Sequence, residues 1–220
     1  NNDVVGFDVA NGQNILNLKH LDTAFNKVDI VIHLAAIIEN SDPKLWRVNV
    51  EGTKNLIKKA VENKVKKFIF LSSTGVYGFT KQSVSEKTPT HPENLYEKSK
   101  VEAEQIVLNY QEVIEVSVLR SAMILGPNKY WSRMFKVLKK KFPLPTKGKN
   151  TFQIIFVKEL VNALILLIKK GNSGEIYLVA GKEQPSLKGF CLDVKEQLGL
   201  KRKLFTMPTF LALLLGKLLR

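Results

Sequence analysis

Apolar and polar positions divide this chain into short apolar runs separated by segments with helical spacing. Val28-Asp29-Ile30-Val31-Ile32-His33-Leu34-Ala35-Ala36 is almost continuously apolar, as a strand buried on both faces of a parallel sheet reads. Phe68-Ile69-Phe70-Leu71 has the same character but breaks into Ser72-Ser73-Thr74-Gly75-Val76-Tyr77-Gly78, the pattern of a buried strand ending in a loop that carries a site. Val116–Leu119, Phe152–Val157 and Gly174–Val179 read as further strands, and Asp3-Val4-Val5-Gly6-Phe7-Asp8 as a short one ending in a carboxylate. Between them, helices are predicted over Leu21–Phe25, from Asp42-Pro43 onward, around Tyr96–Lys100, over Met134–Lys141 and over Lys158–Lys170. Asp42 suits an N-cap and Pro43 a first turn, where its missing N–H is tolerated. Strands alternating with helices give an α/β fold with a parallel sheet.

One spacing adds chemistry. Tyr96 and Lys100 stand four apart, which on a helix puts both on one face, about 40° apart around the axis. An ammonium beside a phenol favours the phenolate and lowers the tyrosine pKa from about 10, so the pair can act as an acid/base near neutral pH. Asn49-Val50-Glu51-Gly52-Thr53 sets an asparagine and a glycine inside a helix, and the glycine costs up to about 1 kcal/mol there. That conflict implies positional roles: Gly52 for close packing, Asn49 for a polar link toward Lys100.

Composition bounds the remainder. The 220 residues suffice for one good-sized domain with a small lobe, and 45% hydrophobic with 25% charged residues is the balance of a soluble globular protein. The single cysteine, Cys191, excludes an internal disulfide and a multi-cysteine metal site, and His20, His33 and His91 have no metal-ligand spacing, so no metal is expected. His33, inside an apolar run, reads as a packed core residue. The net charge of +14 is spread over lysines mostly at predicted helix ends. A solvated surface is the first reading, attraction of nucleotide diphosphates the second, and nucleic-acid binding is set aside for want of an aromatic-interleaved basic motif. No signal sequence opens the chain and no apolar run approaches the roughly 20 residues of a spanning helix, so a cytoplasmic location is expected. The apolar tail Pro208–Arg220 is assigned to packing against the lobe, with membrane-surface contact or a subunit interface, a homodimer, as alternatives.

Ser72-Ser73-Thr74-Gly75-Val76-Tyr77-Gly78 followed by Tyr96-x-x-x-Lys100 resembles the extended short-chain dehydrogenase/reductase superfamily, in its NAD-dependent epimerase/dehydratase branch. His33-Leu34-Ala35-Ala36, Asn49-Val50-Glu51-Gly52-Thr53 and Arg120–Pro127 match further stretches of that family, the last a loop joining nicotinamide and substrate sites. The resemblance implies a Rossmann-like doubly wound sheet over residues 1–125. Residues 126–220 would return a strand and helix to it at about 152–180 and build a small interwoven substrate lobe.

The resemblance also implies Tyr96 as acid/base, Lys100 holding down its pKa and binding the nicotinamide ribose, Ser73 on the substrate oxygen and Asn49 in support. Asp8, Asn14, Ile15, Leu34, Ala35, Ala36, Asn49, Tyr96, Lys100 and Ser121 would touch the cofactor; Ser73, Thr74, Tyr77 and Met123 would touch the substrate. Asp8, at the end of a second strand, would favour NAD over NADP; a turn aspartate before Ala10-Asn11-Gly12 is the other reading. Met123 stands where many sugar-nucleotide enzymes carry asparagine, and Asn14 where relatives carry an acid.

The implied reaction is hydride transfer at a carbinol carbon of a nucleotide sugar, by an epimerase or an oxidoreductase. A sterol-like alcohol as substrate, or a non-catalytic dinucleotide-binding protein or remnant, are the alternatives. Family dehydratases carry a carboxylate pair just after the catalytic hydroxyl; Thr74 and Gly75 occupy those positions and argue against elimination. No Gly-x-x-Gly-x-x-Gly turn precedes Asp3, so the chain is expected to start at the second strand, lacking roughly 25 residues, one strand-turn-helix unit. A shortened protein unable to hold the cofactor normally is the alternative.

Overall fold

A computed structural model describes residues 3–139, 144–145, 148–200 and 206–208. It divides into two compact units: Asn1–Ala122 with Lys158–Val179, and Met123–Val157 with Ala180–Arg220.

The first unit is built on four parallel strands: β1 (Ile30–His33), β2 (Lys67–Ser73), β3 (Glu115–Ser121) and β7 (Glu175–Val179), adjacent in that order. Side chains alternate across the pleat. Phe68, Phe70, Val116 and Val118 form one face and meet helices α1 (Leu18–Ala24), α2 (Thr53–Glu62) and α3 (Leu95–Leu108) through Leu21, Leu56, Ile57, Ala60, Ala103 and Val107. Ile69 and Leu119 face the other way and are also buried. Burial on both faces is why these strands read as unbroken apolar runs. Helix α5 (Val157–Lys170) buries Leu160, Leu164 and Leu167 and leads into β7.

The second unit pairs β4 (Met123–Leu125) in parallel with β6 (Ile154–Phe156), and β5 (Leu144–Pro145) with β8 (Thr206–Met207). Helices α4 (Lys129–Lys139) and α6 (Leu187–Gln197) share a core in which Trp131 packs on Phe190 at 5.4 Å between ring centroids. The Trp131 Nε1–H donates to the Ile124 carbonyl at 2.7 Å.

Several expectations need correction. Asp3–Asp8 is no strand: extended backbone becomes one only through ladder bonds, and this segment pairs with none of the described strands. Arg120–Pro127 is not a plain loop, because Arg120 and Ser121 close β3 and Met123–Leu125 form β4. The helix begun near Asp42 is not regular, since Arg47–Gly52 is a π-helical turn, a form frequent at functional sites. Helix α6 was not predicted. The tail beyond Pro208 lies outside the described residues, among which no helix is long and apolar enough to cross a membrane.

Candidate active site

Parallel pairing sets the carboxyl ends of the strands in one row. His33 is opposite Phe70, and Ser73 is opposite Ser121. Side chains just past these ends gather where α/β folds bind ligands. Helix α3 lies over this row, held by a capping box in which Asn94 Oδ1 accepts from the Glu97 N–H while Glu97 Oε2 accepts from the Asn94 N–H.

Tyr96 is half-buried and its hydroxyl lies beside that of Ser73. Ser73 Oγ also accepts the Gly75 N–H at 3.1 Å, which fixes it at the mouth of the turn Thr74–Tyr77. One helical turn on, Lys100 is 3% exposed; its Nζ donates to the Leu71 carbonyl at 2.6 Å and stands 4.0 Å over the Phe70 ring. Burial brings the Lys100 pKa down to about 7, against the upward pull of Glu104.

Burial likewise pushes the Tyr96 phenol up, more than the neighbouring Ser73 hydroxyl draws it down. The expectation that Lys100 lowers the tyrosine is therefore not met in this arrangement. The ammonium is directed at the Leu71 carbonyl and the Phe70 ring, and loss of water dominates.

The backbone of Tyr96 is gripped from both sides. Its N–H, one of the donors a helix start leaves unpaired, is taken by Asn40 Oδ1 at 2.8 Å. Its carbonyl accepts from Ser99 Oγ at 2.7 Å, and Ser99 Oγ in turn accepts from Asn49 Nδ2 at 3.0 Å. Asn49 also holds both backbone groups of Ile37, at 2.8 and 2.9 Å. Asn49 thus reaches α3 through Ser99 rather than Lys100 itself. Gly52 gives the close packing expected: a Cβ there would stand 2.5 Å from Ile15 Cδ1.

Beneath this lies His33, fully buried and held neutral by a pKa of about 3, mainly through desolvation and then through Lys100. Thr53 donates its one hydroxyl proton to the Asn49 carbonyl at 2.6 Å, so His33 Nε2 carries the hydrogen of its 2.8 Å bond to Thr53 Oγ1.

The other named residues are placed less uniformly. Leu34 and Ala35 leave β1 exposed and Ala36 half-buried, past its carboxyl end. Asp8 is an exposed turn residue whose Oδ1 accepts from the Ala10 N–H, and Asn14 Oδ1 accepts from the Leu16 N–H. Ile15 is 6% exposed and packed under Gly52, so its side chain supports the core rather than opening to a ligand. Ser121 is buried with its hydroxyl on the Ala122 carbonyl. Thr74 is half-buried in its turn.

Tyr77, expected at the substrate, is buried instead. Its hydroxyl donates to the Ser85 carbonyl and accepts from Arg120 Nη1, both at 2.9 Å, which makes it a support of the loop. Met123 is 43% exposed in the second unit. Reading the sequence missed Asn40, Ser99 and the buried Arg120–Glu104 pair. Only Arg120 left a signal, a charge inside the largely apolar stretch Val116–Leu125.

The model of the NAD dependent epimerase/dehydratase family matches residues 6–180. A dTDP-D-glucose 4,6-dehydratase of Dictyostelium discoideum is 32% identical over 191 residues, covering 74% of this chain and 44% of that protein. A UDP-glucose 4-epimerase of Vibrio cholerae is 31% identical over 168 residues, covering 69% and 51%. The chain spans about half the length of the curated relatives it matches. Among solved structures, a UDP-glucuronic acid 4-epimerase of Bacillus cereus in complex with UDP-glucuronic acid and NAD superposes with a TM-score of 0.80 at 24% identity, covering 89% of this chain and 67% of that one.

Proposed function

The chain belongs to the NAD-dependent epimerase/dehydratase family, and from that premise we propose that it serves an NAD-dependent epimerase or oxidoreductase of nucleotide sugars, with Tyr96 as acid/base. The observation that carries this reading is the Tyr96 hydroxyl set beside that of Ser73 at the carboxyl end of β2, with the Lys100 ammonium buried one helical turn away. Bound NAD supplies the acceptor and donor of a hydride. The donor set fits such a group: Lys100 makes one hydrogen bond among the described residues and has N–H donors to offer a ribose hydroxyl, and the small side chains of Ala35 and Ala36 leave room past the end of β1. Asp8 and Asn14 would meet the adenosine half, while Leu34, Asn49 and Ser121 would line or brace the site.

Ser73 Oγ would bond the carbinol oxygen while Tyr96 takes its proton on oxidation and returns it to the carbonyl oxygen on reduction. Reduction on the opposite face would invert the carbon, and stopping at the carbonyl would leave an oxidised product with the cofactor reduced. Burial penalises a lone phenolate at Tyr96 and a lone ammonium at Lys100, but each charge offsets the other's cost once both form. Although dehydratases stand among the relatives, epimerisation fits the turn better. Position 75 is glycine, and a Cβ there would stand 3.2 Å from Glu97 Cγ, so a carboxylate at this point would need Glu97 to give way.

The test is Tyr96→Phe, which removes one oxygen. With UDP-glucose and dTDP-glucose as probes, turnover should fall at least about a hundredfold, as for loss of a general acid/base. Calorimetric NAD affinity should stay within a few-fold, and the wild-type product should be inverted at C4 without loss of water. A wild-type rate in Tyr96→Phe would overturn the reading.

A further inference from the structure

The most deeply buried ion pair among the described residues is Arg120–Glu104, with side chains 5% and 4% exposed. Arg120 is the penultimate residue of β3, and Glu104 lies on the helix that carries Tyr96 and Lys100, at the next position of the same four-residue series. Arg120 Nε donates to Oε1 at 3.0 Å and to Oε2 at 3.3 Å, and Nη2 donates to Oε2 at 2.7 Å. The guanidinium therefore occupies both carboxylate oxygens. Its remaining arm is fixed by Tyr77 Oη at 2.9 Å and by the Glu86 carbonyl at 3.4 Å. Among the described residues Glu104 is a carboxylate whose charge draws the Lys100 pKa up, yet Lys100 Nζ bonds the Leu71 carbonyl instead.

We propose that Arg120 is a positioning residue for Lys100: by taking both oxygens of Glu104 it withholds from the lysine the counter-ion one turn away, and leaves the ammonium directed at the carboxyl end of β2. A Lys100–Glu104 pair would turn the ammonium along the helix, away from the Tyr96 side. Glu104 at a distance still lends its field, which keeps the buried ammonium accessible. The charged and titratable groups around Lys100 are few. Its own helix offers Tyr96 and Glu104, β1 offers neutral His33, and β3 offers Arg120 behind Glu104; β2 contributes the Leu71 carbonyl and the Phe70 ring. In the π-helical turn Arg47 and Glu51 are exposed and pair with each other.

This inference rests on the catalytic reading of Lys100, so its test is a titration that needs no turnover. Lysine side chains labelled at 13Cε are followed by NMR against pH, with the Lys100 signal assigned by its loss in Lys100→Met. In Arg120→Met the freed carboxylate should capture Lys100 and raise its midpoint by about a unit or more; in Glu104→Gln the midpoint should fall. Damage to the fold alone would not produce opposite shifts.

Because either single variant strands a buried charge, the neutral double variant Glu104→Gln/Arg120→Gln is carried alongside. Its midpoint should lie between those of the single variants and below the wild type, since Glu104 is the charge on Lys100's own helix. Shifts of the same sign in both single variants, or an unmoved midpoint in the double, would overturn the proposal. If the shifts appear as stated but the wild type turns over no nucleotide sugar, the catalytic reading fails and the charge arrangement stands.

Discussion

Strand β2 has a buried lysine associated with each end, and the two are bonded differently. At the amino end, Lys67 Nζ donates to the carbonyls of Leu167 and Gly171 at 3.4 and 3.0 Å, approaches that of Ile168 at 3.5 Å, and pairs with Glu115 at 3.1 Å. These carbonyls end α5, where a helix leaves its acceptors unpaired and its dipole favours a cation. At the carboxyl end, Lys100 has one carbonyl and one aromatic face, and its nearest carboxylate belongs to Arg120. A saturated buried cation holds structure together, whereas an unsaturated one carries a desolvation cost the fold does not recover and keeps donors for something else.

The largest expected effect tests that difference directly. Lys100→Met should lower turnover about a hundredfold or more while raising thermal stability near neutral pH. The lysine pKa falls from 10.5 to about 7 on folding, so the unfolded chain binds the extra proton between those values. Stability therefore rises with pH from about 7 to 10.5, and below about 7 the penalty is present in full. Removing the amine lifts a cost on the order of a few kcal/mol and flattens that slope. Lys67→Met should do the reverse, losing about 1–3 kcal/mol with its unpaired carbonyls and keeping its rate per folded molecule. Melting curves between pH 6 and 10, set beside steady-state rates, decide it; loss of stability in both variants would erase the distinction.

A smaller effect of the same kind belongs to His33. Its pKa of about 3 lies below the unfolded 6.5, so the folded protein refuses a proton the unfolded chain accepts, and stability drains away as pH falls from 6.5 toward 3. His33→Gln keeps a donor for Thr53 and removes the titration, so its acid unfolding midpoint should move to lower pH by circular dichroism. An unchanged midpoint would mean that other groups govern acid unfolding.

The carboxyl end of the sheet was legible because its signals are local: an apolar run breaking into Ser72-Ser73-Thr74, and a phenol and an amine one turn apart. What escaped depends on partners distant in the chain. Asp3–Asp8 has a strand's pattern but no ladder, Tyr77 has a substrate residue's position but spends its hydroxyl on Ser85 and Arg120, and the mutual effect of Tyr96 and Lys100 was misjudged because spacing does not report burial. Helix α6 hides behind weak patterning, with Gly189 and Lys188 in its first turn and a start marked only by Ser186. Arg120 and Glu104, 16 residues apart on a strand and a helix, meet only once the sheet has formed.

The smallest effect concerns how firmly that end is held. Asn40 lies 56 residues before Tyr96 and caps its N–H, while Asn94 caps Glu97 from within the same helix. A local cap stabilises the helix wherever it sits; a distant one also fixes where the helix sits. Asn94→Ala should therefore cost about 1 kcal/mol with little change in turnover per folded molecule. Asn40→Ala should cost a similar amount or less, because water can replace the lost acceptor, but lower turnover several-fold through a looser Tyr96. Asn40→Asp keeps the acceptor and should recover most of the rate. If Asn40→Ala and Asn94→Ala change stability and turnover alike, the distant cap only stabilises, and Tyr96 is aligned by Ser99 and Asn49.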